Sequence, residues 1–328
     1  MSSTVIYIAP SQAGSYIDPV LTGFIDLGWD PHIVSGKSTK GSEWGYNPDI
    51  PVWPTLESLS KSALDQAQII LYDIASTRIH ADDSVYLDTN KRLSKYAHKL
   101  GLVHYEDNHS GECPLESYEE DISFSKLFMR ESTWYHPKII SMPFLALVDR
   151  QLKLNDQVIP QDQERNIDVS CLLGRPTMGP KTGYARYGLV ETMMGWKDAA
   201  PGINIISGFF ADLKREDYLS ALCQSKISVA CWGTGYQCWR DWEIISMGAL
   251  IAWKKSPLPW MDSMQDMKNC ILWDSPVDLI NKCEILLSDK NLYNDVCTAY
   301  QEMLQAYHLP VHRAQKIVDE MLVHTPSS

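Results

Sequence analysis

The repeated alternation of short apolar segments with segments of helical spacing is the feature of this sequence that most constrains its fold. Residues 4–8 form a β-branched run, residues 16–27 carry helical spacing that stops at Gly28, and residues 32–35 are again strand-like. Parallel strands require long crossover connections, usually helices, so repeated β-then-α order indicates a parallel sheet with helices on both faces. We therefore predict an α/β fold.

The pattern restarts after a polar stretch at residues 153–166, which indicates a second sheet. A chain of 328 residues is also long enough for about two domains. We expect two Rossmann-like domains that face a cleft, at residues 1–150 and 151–308. A proline breaks the last helical stretch at Pro310, so we expect residues 309–328 to form a helix that returns to the first domain.

Composition excludes several classes of protein. Apolar residues make up 45% of the chain, well above the level of disordered sequences. The sequence has no long apolar stretch and no basic leader, so we expect a cytoplasmic protein without a membrane segment. The eight cysteines form no Cys-x-x-Cys pair, which favours free thiols over a metal site or disulfides. Nothing in the sequence indicates a protein partner.

The net charge of −12 is concentrated in the first half of the chain. Residues 1–150 hold 12 lysines and arginines against 20 aspartates and glutamates, a net of −8. Long-range attraction to a polyanion needs positive potential, so this half is not suited to indiscriminate nucleic-acid binding.

The richest candidate site follows a strand predicted at residues 227–231. A loop containing Gly235 and Tyr236 leads into a helix, and Arg240 and Glu243 share one face of its first turns. Ligands of open α/β sheets bind beyond the carboxyl ends of strands, where helix N-termini point free N–H groups outward. An arginine there suits a diphosphate, and a carboxylate suits a ribose diol. A plain surface pair on an amphipathic helix is the alternative.

A basic cluster follows the strand predicted at residues 167–174. Lys181 and Arg186 lie in a Gly-rich connection between Gly174 and the next helix, which indicates an anion clamp. No Gly-Lys-Ser/Thr motif makes it a P-loop, and its glycine spacing fails the dinucleotide fingerprint. A solvated basic loop is the alternative.

An acidic cluster at residues 104–109 follows another predicted strand and contains Glu106 and Asp107. Carboxylates at the end of a strand are suited to act as general base for a hydroxyl nucleophile. A solvated acidic turn is the alternative.

These three clusters resemble the sites of GT-B glycosyltransferases, and within that family chiefly those of the phage β-glucosyltransferases of hydroxymethylpyrimidine DNA. The resemblance implies that Asp107, with Glu106 beside it, is the catalytic base. It implies that Arg240 and Glu243, in Arg240-Asp241-Trp242-Glu243, hold the diphosphate and the ribose. Further residues implied to bind the donor are Gly174, Lys181, Arg186, Gly208, Phe209, Phe210, Gly235 and Tyr236. The Phe209–Phe210 pair is otherwise typical of an apolar core.

The acceptor-side candidates lie in the first half. Lys91, Arg92, Lys95 and Lys99 occupy adjacent faces of the helix predicted at residues 85–100, where they are placed to contact phosphates. A solvated helix face is the alternative. The resemblance adds Asp18 to the acceptor-binding residues.

The sequence thus predicts a glycosyltransferase that moves a sugar from a nucleotide donor, UDP above all, to modified phage DNA with inversion. We expect no tightly bound cofactor. A divalent cation is compatible with this chemistry, although the chain has no Asp-x-Asp motif. Two alternatives remain: a transferase for a cell-surface or capsular glycan, and a non-catalytic nucleotide-sugar-binding subunit. A nicotinamide oxidoreductase is disfavoured, because neither predicted sheet opens with Gly-x-Gly-x-x-Gly.

Overall fold

The computed structural model describes residues 3–9, 18–35, 50, 52–53, 59–74, 83–104, 113–144, 153–154, 157–158, 164–175, 180–233 and 235–322. The chain divides into two compact units. The first comprises Met1–Ala146 and Leu309–Ser328, and the second comprises Leu147–His308.

The first unit is built on a seven-stranded parallel sheet with the order β3-β2-β1-β4-β5-β6-β7. This sheet contains the 3-2-1-4-5-6 strand order of the doubly wound Rossmann fold. Its strands are β1 (Thr4–Ala9), β2 (Asp30–Ser35), β3 (Val52–Trp53), β4 (Ile69–Asp73), β5 (Leu100–His104), β6 (Lys126–Met129) and β7 (Ile139–Ser141). Its first four helices are α1 (Asp18–Asp26), α2 (Lys61–Gln66), α3 (Asp83–Leu93) and α4 (Leu115–Asp121).

Both faces of this sheet are covered, because successive side chains of a strand point to opposite faces. In β1, Ile6 and Ile8 lie in one apolar core, and Val5 and Tyr7 lie in the other. The strand is therefore buried along nearly its whole length, as is typical of a parallel sheet between two layers of helices.

The second unit is built on a five-stranded parallel sheet with the order β11-β10-β12-β13-β14. A short antiparallel ribbon, β8 (Lys153–Leu154) and β9 (Gln157–Val158), precedes it. Its strands are β10 (Ile167–Leu173), β11 (Ile205–Phe209), β12 (Ser225–Ala230), β13 (Leu250–Lys254) and β14 (Ile271–Trp273). Its helices are α5 (Pro180–Ala199), α6 (Arg215–Cys223), α7 (Trp239–Ser246), α8 (Pro276–Ser288) and α9 (Lys290–Tyr307).

The final helix, α10 (Pro310–Leu322), packs on α1 in the first unit. Ala314 and Ile317 lie in the same apolar core as the buried side chains of α1. The two helices approach so closely that a Cβ at Gly23 would lie 2.0 Å from the carbonyl oxygen of Pro310. The predicted α/β class, with two Rossmann-like domains and a final helix returning to the first, is confirmed.

The helix expected at residues 85–100 ends earlier than the sequence pattern indicates. Helix α3 stops at Leu93, and a 3₁₀ segment, Ser94–Lys99, leads into β5. Nζ of Lys99 donates to three carbonyl oxygens at the end of α2, those of Leu64, Asp65 and Ala67. These bonds tie the 3₁₀ segment to α2. Over the described ranges, no helix combines the length and apolar character needed to cross a bilayer.

Candidate functional site

The candidate site lies in the second unit, at the carboxyl edge of the sheet where β10 and β12 end and α7 begins. Gly174 follows β10 directly, and Cys231, Trp232 and Gly233 follow β12. This edge is where open α/β sheets place their ligands, because loops and helix N-termini expose N–H groups there. Arg186, Arg240 and Glu243 are brought together at this edge although only 8%, 4% and 7% of their surfaces are exposed.

Arg186, on α5, joins the ends of the two strands. Its Nη1 donates to the carbonyl oxygen of Gly174 at 3.0 Å, and its Nε donates to that of Trp232 at 2.9 Å. Nη2 lies 3.8 Å from Sγ of Cys238, the residue that caps α7. Burial, and then the charge of Arg240, lower the pKa of the Arg186 guanidinium. The two arginines are therefore close enough to repel each other.

Arg240 lies in the first turn of α7 and binds the backbone of the loop that follows β12, next to the residue that Arg186 binds. Its Nη2 donates to the carbonyl oxygen of Cys231 at 2.9 Å. Its Nε is buried and has no hydrogen-bond partner among the described residues. Burial acts to lower the pKa of Arg240, but the Coulombic effects of Cys238 and Asp241 outweigh it and raise the pKa. Arg240 thus remains positively charged while buried, and its Nε–H is available to bind a ligand.

Glu243 lies one helical turn beyond Arg240 and is bound on both carboxylate oxygens. Oε2 accepts a hydrogen bond from the Tyr218 hydroxyl at 2.7 Å, and Oε1 forms an ion pair with Nη2 of Arg215 at 2.6 Å. Burial, and then the Glu243 charge, raise the pKa of Tyr218 well above its usual value. The phenol therefore remains a donor. Arg215 and Tyr218 were not predicted as site residues from the sequence, where their only signal is a spacing of three residues on one helix face.

Helix α7 is fixed at both ends. The backbone N–H of Cys238 donates to Oδ2 of Asp241 at 2.7 Å, which closes the N-terminus. At the other end Gly248 has a φ of 72°, a conformation that favours glycine. Nη2 of Arg165 donates there to the carbonyl oxygen of Met247 at 3.2 Å. The positions of Arg240 and Glu243 are thus set by the whole helix.

Phe209 and Phe210, at the end of β11, pack on aromatic side chains of α5 and α6. The Phe210 ring lies 5.2 Å from that of Tyr218, and the Phe209 ring lies 4.9 Å from that of Tyr187. A Cβ at Gly174 would lie 3.2 Å from Phe210, so the loop after β11 touches the loop after β10. The structure therefore places Phe210 against Tyr218, the α6 side chain that binds Glu243, and Phe209 against Tyr187 of α5. Gly208 precedes this pair at the end of β11.

The loop before α7 is held by its own contacts. The backbone N–H of Gly233 donates to the carbonyl oxygen of Gly235 at 2.9 Å, and Tyr236 packs edge-on to Trp232 at 5.0 Å. The predicted donor-side residues Gly235 and Tyr236 thus lie beside the backbone that Arg186 and Arg240 bind. Lys181 is in the first turns of α5, but its side chain lies outside the described residues.

The predicted catalytic residues of the first unit, Glu106 and Asp107, lie outside the described residues, as does the side chain of Asp18. His104, at the end of β5, directly precedes this stretch. Its Nδ1 lies 2.8 Å from the Tyr118 hydroxyl. Burial, and then the charge of Arg130, lower the pKa of His104 to about 4.

The predicted phosphate-contacting residues differ in what they do. Lys91 and Lys95 are exposed. Arg92 donates to the carbonyl oxygen of Leu59 at 2.7 Å, so its guanidinium stabilises the first unit, as Lys99 does. Within the described part of the chain, no three His, Cys, Asp or Glu side chains group as metal ligands.

Comparisons with known proteins identify the fold. No family model matches the sequence, and no curated protein matches it. A glycosyltransferase from Rickettsia africae ESF-5 is 12% identical with a TM-score of 0.60, over 99% of this chain and 100% of that one. Anabaena HepE, solved in complex with UDP and glucose, is 11% identical with a TM-score of 0.59, over 97% and 98% of the chains.

The T4 phage BGT, in complex with UDP and Mn2+, is 11% identical over 98% of this chain and 97% of that one. Its TM-score of 0.49 does not single out the phage enzymes that the sequence most resembled. At such identities, structural likeness establishes architecture and leaves activity to be argued from the site. With two parallel α/β domains aligned over nearly their whole length to the Rickettsia and Anabaena proteins, the chain has the GT-B fold.

Proposed function

We propose that the chain is a glycosyltransferase whose second unit binds a UDP-linked sugar. The observation that carries this proposal is the pair of buried arginines, Arg186 and Arg240, beside the N-terminus of α7, with Glu243 one turn further along. Burial acts to lower the pKa of both arginines, whereas the buried carboxylate of Asp241 acts to raise it and so balances part of their charge. Because one carboxylate cannot neutralise two guanidinium groups, the remaining positive charge favours binding of an anion there. Anabaena HepE, which has the same fold, was solved with UDP and glucose.

A diphosphate fits this environment chemically. A guanidinium carries five N–H donors, and Arg240 uses Nη2 on a carbonyl while its Nε lacks a partner among the described residues. Asp241 occupies the backbone N–H of Cys238, and the remaining dipole of the first turn of α7 still favours negative charge. As the sugar leaves, charge develops on the diphosphate, and preorganised donors stabilise that charge without reorganising.

The ribose and the uracil of the donor bind other residues of the same unit. Glu243 accepts from the ribose hydroxyls, and the backbone around Gly208 with Phe209 and Phe210 borders the uracil. These two positions are close together, because Phe210 packs on Tyr218 and the Tyr218 hydroxyl donates to Glu243.

In the proposed reaction, an acceptor hydroxyl oxygen forms a bond to the anomeric carbon while the bond from that carbon to the diphosphate oxygen breaks. UDP leaves with the bonding electron pair, and the hydroxyl proton passes to Asp107, with Glu106 beside it. Attack opposite the leaving group inverts the configuration at the anomeric carbon. Arg240 stabilises the departing diphosphate.

Two acceptor classes each have support. A hydroxymethylpyrimidine in DNA follows from the sequence resemblance, and Lys91 and Lys95 are exposed as contacts to DNA phosphates require. The net charge of −8 over residues 1–150 favours a glycan hydroxyl instead. For a DNA acceptor, binding to duplex DNA falls steeply as salt rises from about 50 to 200 mM, and Lys91→Gln with Lys95→Gln lowers the slope by about two. A glycan acceptor is favoured if duplex binding is absent while a saccharide accepts the sugar.

The donor proposal is tested by calorimetric titration of the protein with UDP, UMP and UDP-glucose. UDP should bind more tightly than UMP, because only UDP presents the second phosphate. Arg240→Gln should weaken UDP binding and lower the transfer rate by about 10²–10³-fold, the loss expected for one well-placed donor. Lys255→Gln, which removes an exposed lysine paired with Asp274 in the same unit, should change neither.

Failure of the folded protein to bind any of the three nucleotides would contradict the donor proposal. The variant Asp107→Asn distinguishes an enzyme from a non-catalytic binding subunit. For an enzyme, this change should abolish release of UDP from UDP-glucose while leaving UDP affinity unchanged. A binding subunit releases no UDP in either form.

A further inference from the structure

We propose that Tyr218 and Arg215 are positioning residues that fix the Glu243 carboxylate, so that the site distinguishes a ribonucleotide from its 2′-deoxy counterpart. The inference rests on the proposed function, because it concerns the same donor site. Both residues lie outside the Arg240-Asp241-Trp242-Glu243 motif, which is proposed to contact the donor itself.

The geometry constrains the Glu243 carboxylate through two side chains of a single helix. Both residues project from α6, and each binds a different oxygen: the Tyr218 hydroxyl lies 2.7 Å from Oε2, and Nη2 of Arg215 lies 2.6 Å from Oε1. A carboxylate offers about four lone-pair sites. Each oxygen of Glu243 therefore retains acceptor capacity, and two adjacent oxygens in a fixed plane match the two neighbouring hydroxyls of a ribose.

Tyr218 is the stronger of the two constraints. It is 1% exposed, its ring packs on Phe210, and its hydroxyl is a buried donor directed at a buried acceptor. Loss of that donor leaves Glu243 short of a partner in a site with little access to water, where hydrogen bonds to charged groups are strongest. Without the Tyr218 hydroxyl, the Glu243 carboxylate is free to rotate and to accept a hydrogen bond from another donor.

Arg215 contributes less, because 44% of its side chain is exposed and its ion pair is screened by solvent. Its guanidinium also lies over the Tyr218 ring, with Cζ 5.5 Å from the ring centroid. Arg215 therefore holds the second oxygen and covers the tyrosine that holds the first. Substitution of Tyr218 should therefore change nucleotide selectivity more than substitution of Arg215.

Discrimination arises from an unpaired acceptor. A site built to bond a hydroxyl rejects an analogue that lacks it, because a buried polar group is then left without its partner. With the carboxylate fixed, 2′-deoxy-UDP leaves one lone pair of Glu243 unpaired. Once the carboxylate is free to rotate, it finds another donor and the penalty disappears.

The test is a comparison of dissociation constants for UDP and 2′-deoxy-UDP in the full chain. The unsubstituted protein should prefer UDP by about tenfold or more. Tyr218→Phe should bring the ratio close to one, mainly by weakening UDP, and should leave 2′-deoxy-UDP within about twofold. Arg215→Gln, on an exposed side chain, should lower the ratio by about two- to threefold. It also provides a test if the buried substitution does not fold.

Tyr293→Phe is the matched control, because it removes another tyrosine hydroxyl of the second unit, one that donates to the carbonyl oxygen of Lys226 at 3.1 Å. It should leave the ratio unchanged. Glu243→Gln should also abolish the preference, and Tyr218→Phe should have no further effect on it in that background.

Equal weakening of both nucleotides by Tyr218→Phe, or an unchanged ratio, would overturn the positioning role while UDP binding upholds the donor proposal. If the unsubstituted protein binds neither nucleotide, the proposed function falls and this inference falls with it.

Discussion

Gly233 leaves room for the guanidinium of Arg186: a Cβ at position 233 would lie 2.6 Å from Nη2 of that arginine. It would also lie 2.6 Å from Sγ of Cys238, so the loop and the arginine cannot both stay in place. Gly233→Ala should therefore displace Arg186 and weaken UDP binding about tenfold or more, which corresponds to about 1.4 kcal/mol. Calorimetric titration of the variant measures this loss.

The matched control for this change is Gly202→Ala, because a Cβ at Gly202 meets no atom within 4 Å. This variant should bind UDP as the unsubstituted protein does. If Gly233→Ala did the same, Arg186 would not contribute to donor binding.

Two glycines inside α5 predict a gain in stability. A Cβ at Gly188 or Gly195 meets nothing within 4 Å, and both have ordinary helical backbone. Alanine loses less conformational freedom on folding, so each substitution to alanine should raise the free energy of unfolding by about 0.5–1 kcal/mol. Urea unfolding measures the gain. The two effects should add, and a decrease from either change would show that α5 is packed differently there.

His104 predicts a loss of stability in mild acid. Its pKa is lowered from 6.5 to about 4, first by burial and then by Arg130, so the unfolded chain takes up a proton at higher pH than the folded one. The stability contribution is complete above pH 6.5, decreases as the pH falls below that value, and levels off near pH 4. The loss over this range is about 3 kcal/mol.

Unfolding free energies between pH 7.5 and pH 4 test this. His104→Gln should remove that part of the pH dependence, whereas His98→Gln, at an exposed histidine, should retain it. An identical pH profile for His104→Gln would mean that other groups account for the acid sensitivity.

The contact between α1 and α10 predicts that Gly23 tolerates no side chain. A Cβ there would lie 2.0 Å from the carbonyl oxygen of Pro310, a backbone atom that cannot rotate away. Gly23→Ala should cost about 1–3 kcal/mol of stability through overpacking, and it should make α10 more susceptible to limited proteolysis. Thr22→Ala, at the neighbouring position, should keep α10 protected. Equal protection in both variants would contradict the observed packing.

The architecture was predictable because it depends on local periodicity. The strand predicted at residues 167–174 is β10 (Ile167–Leu173), and the break expected at Pro310 is where α10 begins. β-branched runs and a helix-breaking proline act over a few residues, so they leave a visible pattern.

The contacts that complete the candidate site were not predictable in this way. Tyr218 reaches Glu243 across 25 positions of sequence, and Arg186 reaches Trp232 across 46. Such hydrogen bonds depend on how helices lie against a sheet, and they leave no period in the sequence. For the same reason Lys99 was expected on a solvated or phosphate-binding helix face, whereas it binds three carbonyl oxygens at the end of α2.

The placement of α10 also determines the order in which the chain can fold during synthesis. The second unit is one uninterrupted length of sequence, Leu147–His308, and it can assemble as soon as it has left the ribosome. The first unit begins earlier but lacks Ala314, Ile317 and Met321 from its core until α10 has been translated. Although its sheet is made first, the first unit thus completes its core only after the whole of the second unit has been translated.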